Sequence, residues 1–122
     1  MNPRELVSAV VRNDLTARQL VKDAARDGYS WAEAPAPDFR ETRLRAVYAS
    51  LVELFAARQG KAPPAWTKDV GPAPKPVFLV RRAKTSKALR RLSERDTPAP
   101  LKARNVLALA GYLNVLLSCL RG

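Results

Sequence analysis

Proline most restricts how this chain can fold, because the sequence contains ten prolines and most of them are grouped. One group is Pro35 and Pro37, the densest lies within residues 61–76, and a third is the pair Pro98 and Pro100. Proline lacks a backbone N–H and clashes with the preceding helical turn, so no regular helix is expected to run through these groups. The chain is therefore expected to fold as short helices joined by stiff, irregular connections.

The segments before the first proline group have helical spacing. Residues 3–12 place their leucine and valines on one face, and a second helix is expected over residues 17–27, ending at Gly28. Thr16 and Gln19 have the spacing of a capping box at its start. Two short helices allow a helix-turn-helix interpretation, but the acidic residues around them would repel phosphates. Plain helical packing is the preferred interpretation.

The strongest helical pattern runs from Pro37 to about Arg58 and ends at Gly60. Its apolar residues follow three-and-four spacing over three turns: Leu44, Val47, Tyr48, Leu51, Val52, Leu54 and Phe55. This stripe predicts the helix that organises the core. A heptad-like stripe also allows a homodimer, but the absence of clear flanking charge pairs favours packing within one chain.

Residues 61–76 are predicted to form a Pro-rich arm of extended or polyproline-like chain. Trp66 in this arm either anchors it to the central helix, which is the commoner arrangement, or projects as an aromatic contact for a partner. Residues 77–80, which include Phe78, have the composition of a short edge strand. No hairpin partner is apparent nearby, so the strand is expected to be isolated.

Positive charge is concentrated in the second half of the chain. The net charge is +11; residues 1–60 carry nine Lys and Arg against eight Asp and Glu, whereas residues 61–122 carry thirteen against three. Such asymmetry favours a partner that is a nucleic acid or an acidic protein surface, with a merely solvated basic face as the alternative.

The densest basic stretch is residues 81–95, with seven cations and one acid. Thr85 or Ser86 is predicted to cap a helix here, which Leu89 and Leu92 would attach to the body of the protein. The cations predicted to contact a nucleic acid or an acidic surface are Arg81, Arg82, Lys84, Lys87, Arg90 and Arg91.

The chain becomes apolar towards its C-terminus. Residues 105–120 are too few to span a membrane, which needs about 20 apolar residues. A helix is expected over residues 111–120, either buried in the core or held ready for a partner, while residues 105–109 are extended or begin that helix. Cys119 is the only cysteine and is expected to be a small buried side chain. A lone cysteine and the lack of a signal-peptide pattern favour the cytoplasm.

The sequence offers little catalytic equipment. It contains no histidine, which removes the commonest general base and every metal site that needs imidazole. Phosphate-binding glycine motifs and clustered metal ligands are also missing from the sequence. We therefore expect a binding protein without catalytic residues, metal or cofactor.

These patterns together predict a single, mainly α domain over residues 1–122, with at most one short strand or small hairpin. Its parts would be a helical N-terminal region over residues 1–60, the Pro-rich arm over residues 61–76, and a basic helical C-terminal region over residues 77–122.

Four segments in order carry a resemblance to a known family. They are LVELFAARQG at 51–60, PPAWT at 63–67, PVFLV at 76–80 and TPAPLKARNV at 97–106. Together they resemble a segment of bacterial and archaeal small regulators, alone or behind a helix-turn-helix domain, that look like antitoxins of toxin–antitoxin pairs. Some of these regulators accompany nucleotidyltransferase-like toxins. The resemblance covers roughly residues 44–107.

The resemblance implies a cognate toxin as partner, with operator DNA as a second expected partner. The chain departs from the family in its apolar C-terminus and in lacking a recognisable DNA-reading domain, so neutralisation of a partner is favoured over transcriptional control. The residues expected to hold the toxin, together with the basic stretch, are Trp66, Phe78, Leu113, Leu116, Leu117 and Leu120. The alternative hypothesis is a sequence-tolerant DNA- or RNA-binding module that uses the six cations named above.

Overall fold

The computed structural model describes residues 1–12, 14–79 and 86–121, the last residue for its backbone only. The described chain is mainly α, as predicted. Its helices are α1 (Pro3–Val11), α2 (Thr16–Arg26), α3 (Thr42–Arg58), α4 (Lys87–Asp96), α5 (Ala99–Lys102) and α6 (Ala110–Ser118). Short 3₁₀ turns lie at Trp31–Glu33, Ala65–Asp69 and Cys119–Arg121. Two strands, β1 (Val77–Phe78) and β2 (Val106–Leu107), form the only sheet among the described residues.

The start of α2 is capped differently from the prediction. The carboxylate of Asp14 accepts hydrogen bonds from the Thr16 backbone N–H (3.0 Å) and hydroxyl (3.1 Å), while the Gln19 amide donates to Asp23 (2.8 Å). The capping box predicted for Thr16 and Gln19 is therefore wrong. The backbone N–H of Thr16, where the helix begins, donates to the Asp14 carboxylate two residues earlier. The predicted end of α2 is confirmed, because Gly28 has a φ of +72°.

Helix α3 forms the centre of the fold. Residues 46–52 are all buried, so neighbouring elements cover α3 on several sides and not along one stripe. The chain's own residues thus cover the stripe that had suggested a homodimer. The helix starts at Thr42, later than predicted. Before it, the Asp38 carbonyl oxygen accepts a hydrogen bond from the Arg4 guanidinium (3.1 Å), and the Phe39 ring packs edge-on against Tyr48, so these residues make tertiary contacts instead of a first helical turn.

The end of α3 holds the connection from α2 in place. The Gln59 side chain accepts a hydrogen bond from the Trp31 backbone N–H (3.0 Å) and donates to the Tyr29 carbonyl oxygen (3.1 Å). The Trp31 ring meets Phe55 edge-to-face with 4.9 Å between ring centres. A large aromatic side chain is thereby buried at the C-terminal end of α3 with its backbone donor satisfied.

Strand β1 has a partner, contrary to the prediction that it would be isolated. It pairs in parallel with β2, with Val77 opposite Val106 and Phe78 opposite Leu107. A parallel partner must follow a crossover, here one that contains α4 and α5, so it could not be found by searching for a nearby hairpin. Asn105, with a φ of +63°, makes the turn into β2.

Arg104 joins the Pro-rich arm to the rest of the fold. Its guanidinium donates to the carbonyl oxygens of Thr67 (2.6 Å) and Val70 (3.1 Å) in the arm, and it forms an ion pair with Glu53 of α3. A weaker contact reaches the Pro100 carbonyl oxygen at 3.5 Å. The residue is only 8% exposed, so these acceptors would be left largely without water if the side chain were removed.

We expect Arg104→Met to destabilise the fold by about 3 kcal/mol, because it leaves the Glu53 carboxylate and the arm carbonyls without a donor. Chemical denaturation at neutral pH measures the change. Arg95→Met is the matched control, because Arg95 pairs with Asp96 at the surface, where an ion pair contributes little to stability. Equal losses in the two variants would contradict this role for Arg104.

A candidate cationic binding surface

The leucines predicted to hold a toxin lie in the core of the described chain. Leu113 and Leu116 are fully buried, Leu117 is nearly so, and Leu120 is half-buried against the same core. Helix α6 and the 3₁₀ turn after it pack on α2, whose small side chains Ala17, Val21 and Ala24 are buried. Residues 111–120 were predicted to form a helix that is either buried in the core or held ready for a partner, and the structure shows the buried helix. In this conformation Leu113, Leu116 and Leu117 offer almost no surface to a partner, and only Leu120 is partly accessible.

Trp66 anchors the arm to the core. Its ring stacks on Tyr48 with 5.4 Å between ring centres and an interplanar angle of 10°. The indole N–H donates to the Ala34 carbonyl oxygen at 2.9 Å. Both the apolar face and the polar edge of this side chain are thus used within the chain, which is the commoner of the two predicted arrangements.

The structure brings two of the predicted site residues together at the edge of the small sheet. The guanidinium carbon of Arg90, in α4, lies 5.7 Å from the centre of the Phe78 ring, in β1. This is a cation–π distance, and it places a half-buried aromatic ring next to a basic helix. Arg81, Arg82 and Lys84, which were predicted to belong to the same surface, lie outside the described residues.

Helix α4 begins as predicted, and of the two leucines predicted to attach it to the body of the protein, Leu89 is half-buried whereas Leu92 is exposed. The Ser86 hydroxyl accepts a hydrogen bond from the Leu89 backbone N–H at 3.3 Å, which confirms the predicted cap. Leu92, however, is 37% exposed, and the buried residue of this helix is Ser93, whose hydroxyl donates to the Leu89 carbonyl oxygen (2.8 Å). The prediction that Leu92 attaches the helix is therefore wrong: the short Ser93 side chain faces the body and satisfies its hydroxyl within the helix.

Thr97 fixes the other end of α4. Its hydroxyl donates to the Ser93 carbonyl oxygen and accepts from the Ala108 backbone N–H at 3.0 Å. This buried contact joins the end of α4 to the residue after β2, two segments that are separated in the sequence. The hydroxyl thereby sets the direction in which the outer face of α4 points.

The outer face of α4 has two parallel rows. Lys87, Arg91 and Arg95 are exposed and recur every four residues, so they lie along one side of the helix. Ala88 and Leu92, also exposed, form the row beside them. We call these five residues the α4 face.

Few internal carboxylates neutralise the α4 face. Arg95 pairs with Asp96 at 2.9 Å, and this hydrogen bond lowers the pKa of the Asp96 carboxyl below its usual value. Among the residues that the structure describes, neither Lys87 nor Arg91 has an ion-pair partner. Two full positive charges and an apolar row are therefore available to a partner.

A second cationic region was not predicted from the sequence. It is a groove between α1 and the start of α3 that contains four arginines, Arg4, Arg12, Arg40 and Arg43. The eight-residue spacing of Arg4 and Arg12 on α1 was a signal for a shared face. That these two would meet Arg40 and Arg43 depends on how α1 packs on α3, which local spacing does not specify.

The described residues contain no group of three or more Cys, Asp or Glu side chains placed to hold a metal ion. None of the described helices is long and apolar enough to cross a membrane. The chemistry available at the α4 face is that of guanidinium, ammonium and aliphatic groups, which bind anions and apolar surfaces.

No protein-family model, curated protein or solved structure matches this chain.

Two tyrosines, Tyr48 in α3 and Tyr112 in α6, have largely buried side chains that differ in whether the hydroxyl has a hydrogen-bond partner. Tyr112 of α6 has a buried hydroxyl without a hydrogen-bond partner among the described residues, and burial, assisted by the Asp14 carboxylate, raises its pKa to about 12. The Tyr48 hydroxyl instead donates to the Pro35 carbonyl oxygen at 3.0 Å. A raised tyrosine pKa means that stability present below about pH 10 is lost as the pH rises towards 12.

We expect Tyr112→Phe to leave stability unchanged or to raise it by up to about 1 kcal/mol at pH 7, and Tyr48→Phe to lower it by about 1 kcal/mol. The advantage of Tyr112→Phe over the parent should widen by about 1 kcal/mol between pH 7 and pH 11, because phenylalanine does not ionise. Urea denaturation at the two pH values measures both effects. Destabilisation by Tyr112→Phe at pH 7 would show that its hydroxyl has a partner.

Proposed function

We propose that this chain is an antitoxin-like protein that binds and neutralises a cognate toxin, and that the α4 face is the main contact. The observation that supports this assignment is the exposed pair Lys87 and Arg91, which lies beside exposed Leu92 and has no carboxylate partner in the described part of the chain. The order of the four sequence segments described above supports the same class of partner. Neutralisation requires only that the chain occupies a surface of the toxin, so the chain itself performs no catalytic step.

The composition of the α4 face suits a protein partner. Arginine is enriched in protein interfaces, and the centre of an interface usually contains apolar side chains. In the α4 face the apolar row of Ala88 and Leu92 lies next to the cations, so one partner surface would contact both rows. Glu94 and Asp96 on the same helix would lie near a phosphate backbone and oppose it. The expected complement is therefore an acidic protein surface with an apolar centre.

The proposal replaces the contact surface expected from the sequence. Leu113, Leu116 and Leu117 are committed to the core, and Trp66 is committed to Tyr48 and Ala34. The toxin would meet the chain without α6 leaving its place on α2. Such a preorganised contact avoids the free energy needed to unfold and expose the core. A nucleotidyltransferase-like toxin in the cytoplasm is the partner that the resemblance suggests.

Nucleic-acid binding is the second candidate function. The row formed by Lys87, Arg91 and Arg95 is the observation in its favour, because cations repeated along a helix can follow a phosphate backbone. Its signature would be an affinity that falls steeply as salt rises. Binding to an acidic protein surface with an apolar centre would depend less on salt.

The direct test is co-expression with the protein encoded by the adjacent open reading frame, followed by affinity purification of this chain and size-exclusion chromatography. We expect co-elution, and we expect Lys87→Glu with Arg91→Glu to weaken the complex by at least about tenfold, since two attractions become repulsions. The matched control is Arg18→Glu with Lys22→Glu: both residues are exposed, lie four apart on α2, and give the same change in net charge.

Separate elution of the two parent proteins would contradict the antitoxin proposal. Equal weakening by the α2 and α4 variants would show that overall charge, not the α4 face, controls the contact. The second candidate is measured with a fluorescently labelled 20-base-pair DNA duplex at several salt concentrations. Affinity that falls steeply with salt and is lost in the α4 variant would assign the face to nucleic acid.

A further inference from the structure

The groove between α1 and the start of α3 has an apolar floor. Its volume is about 750 Å³, and the floor includes the half-buried side chains Val11, Phe39 and Leu44. All three pack on the core from its outer side, so they are held in place while part of each remains open to the groove. A space of this size accommodates a few side chains of a ligand.

Arginines surround this floor. Arg4 is in α1 and Arg12 directly follows it, whereas Arg40 lies just before α3 and Arg43 is in its first turn. The carboxylates among the lining residues are Asp38 and Glu41. Four guanidinium groups therefore surround the floor with two carboxylates, and a third carboxylate, that of Asp14, lies 3.8 Å from Arg12 without lining the groove. This excess attracts an anionic ligand, and guanidinium groups bind carboxylates through paired N–H donors.

The internal ion pairs of the groove are exposed and easily exchanged. Arg4 lies 3.2 Å from Asp38, with side chains 67% and 97% exposed, and Arg43 lies 3.4 Å from Glu41. Exposed pairs such as these contribute little to stability. Among the described residues Arg40 has no ion-pair partner. A ligand carboxylate would exchange with exposed pairs at Arg4 and Arg43 and would meet Arg40 directly.

We propose that this groove binds an acidic peptide segment of a partner protein, with a large apolar side chain of the peptide on the floor formed by Val11, Phe39 and Leu44. The ligand's carboxylates pair with the arginines at the rim. Its backbone N–H groups supply donors for Asp38 and Glu41, which a phosphate backbone cannot do. The apolar floor likewise favours a peptide with aliphatic or aromatic side chains over inorganic phosphate or a nucleic-acid backbone.

The groove and the α4 face are formed by different residues, so the peptide site does not rest on the proposed antitoxin function. One can fail while the other holds. Variants of the α4 face are therefore informative controls for the groove, and variants of the groove are informative controls for the α4 face.

The test uses fluorescence anisotropy of the full chain with a labelled decapeptide, Glu-Glu-Asp-Leu-Glu-Glu-Phe-Asp-Glu-Leu. Two control peptides replace either all acidic residues by their amides or all three apolar residues by serine. We expect the parent peptide to bind at least about tenfold more tightly than either control, because the rim and the floor are both needed.

Arg40→Glu with Arg43→Glu should lower the affinity for the acidic peptide by about tenfold or more, through repulsion of its carboxylates. Arg18→Glu with Lys22→Glu, and Lys87→Glu with Arg91→Glu, should leave it unchanged within about twofold. All exchanged residues are exposed, and a thermal melt confirms that each variant is folded.

Three results would overturn the proposal. Equal binding of the serine peptide would show that the apolar floor has no role, and equal loss of affinity in the α2 or α4 variants would show that only net charge matters. Displacement of the acidic peptide by single-stranded DNA, but not by excess unlabelled peptide, would assign the groove to nucleic acid. Undetectable binding of the acidic peptide would also overturn it.

Discussion

The C-terminal half of this fold depends on the hydrogen bonds and the ion pair of the Arg104 guanidinium. This group holds the carbonyl groups of the Pro-rich arm and the carboxylate of Glu53 on α3, and the residue after Arg104, Asn105, turns the chain into β2. The position of β2 decides where β1 pairs, and Thr97 then links the end of α4 to the residue after β2. A series of contacts thus connects the buried Arg104 to the helix that carries the exposed cations of α4.

Much of the helical structure could be predicted, because it follows from local rules. Apolar spacing located α1, α2 and α3, glycines with positive φ ended two of them, and Ser86 capped α4. The parallel strand pair could not be predicted in the same way, since strands of two residues carry little pattern and their partners are separated by α4 and α5. Which side of α4 faces inward also depended on a distant contact through Thr97.

The proposed binding surfaces show the same division between what composition predicts and what packing decides. The basic stretch was evident from charge alone, and its described part is exposed on α4. The role of the apolar C-terminus could not be predicted in this way, because leucines have the same helical spacing whether they pack on their own chain or on a partner. The buried small side chains of α2 provide the space that α6 fills, and only tertiary structure shows this match. The arginine groove likewise exists only because α1 meets the start of α3.

The central claim is that the apolar C-terminal helix belongs to the core, so the surfaces proposed to contact partners are the cationic ones. Hydrogen–deuterium exchange of the purified chain alone, read for individual amides, tests it most directly. The account predicts that the amides of Leu116 and Leu117 exchange as slowly as those of Leu51 and Val52 in α3, because all four open only when the core unfolds. Exchange of the α6 amides at the rate of unstructured chain, while α3 stays protected, would contradict it and return α6 to the role of a partner-binding helix.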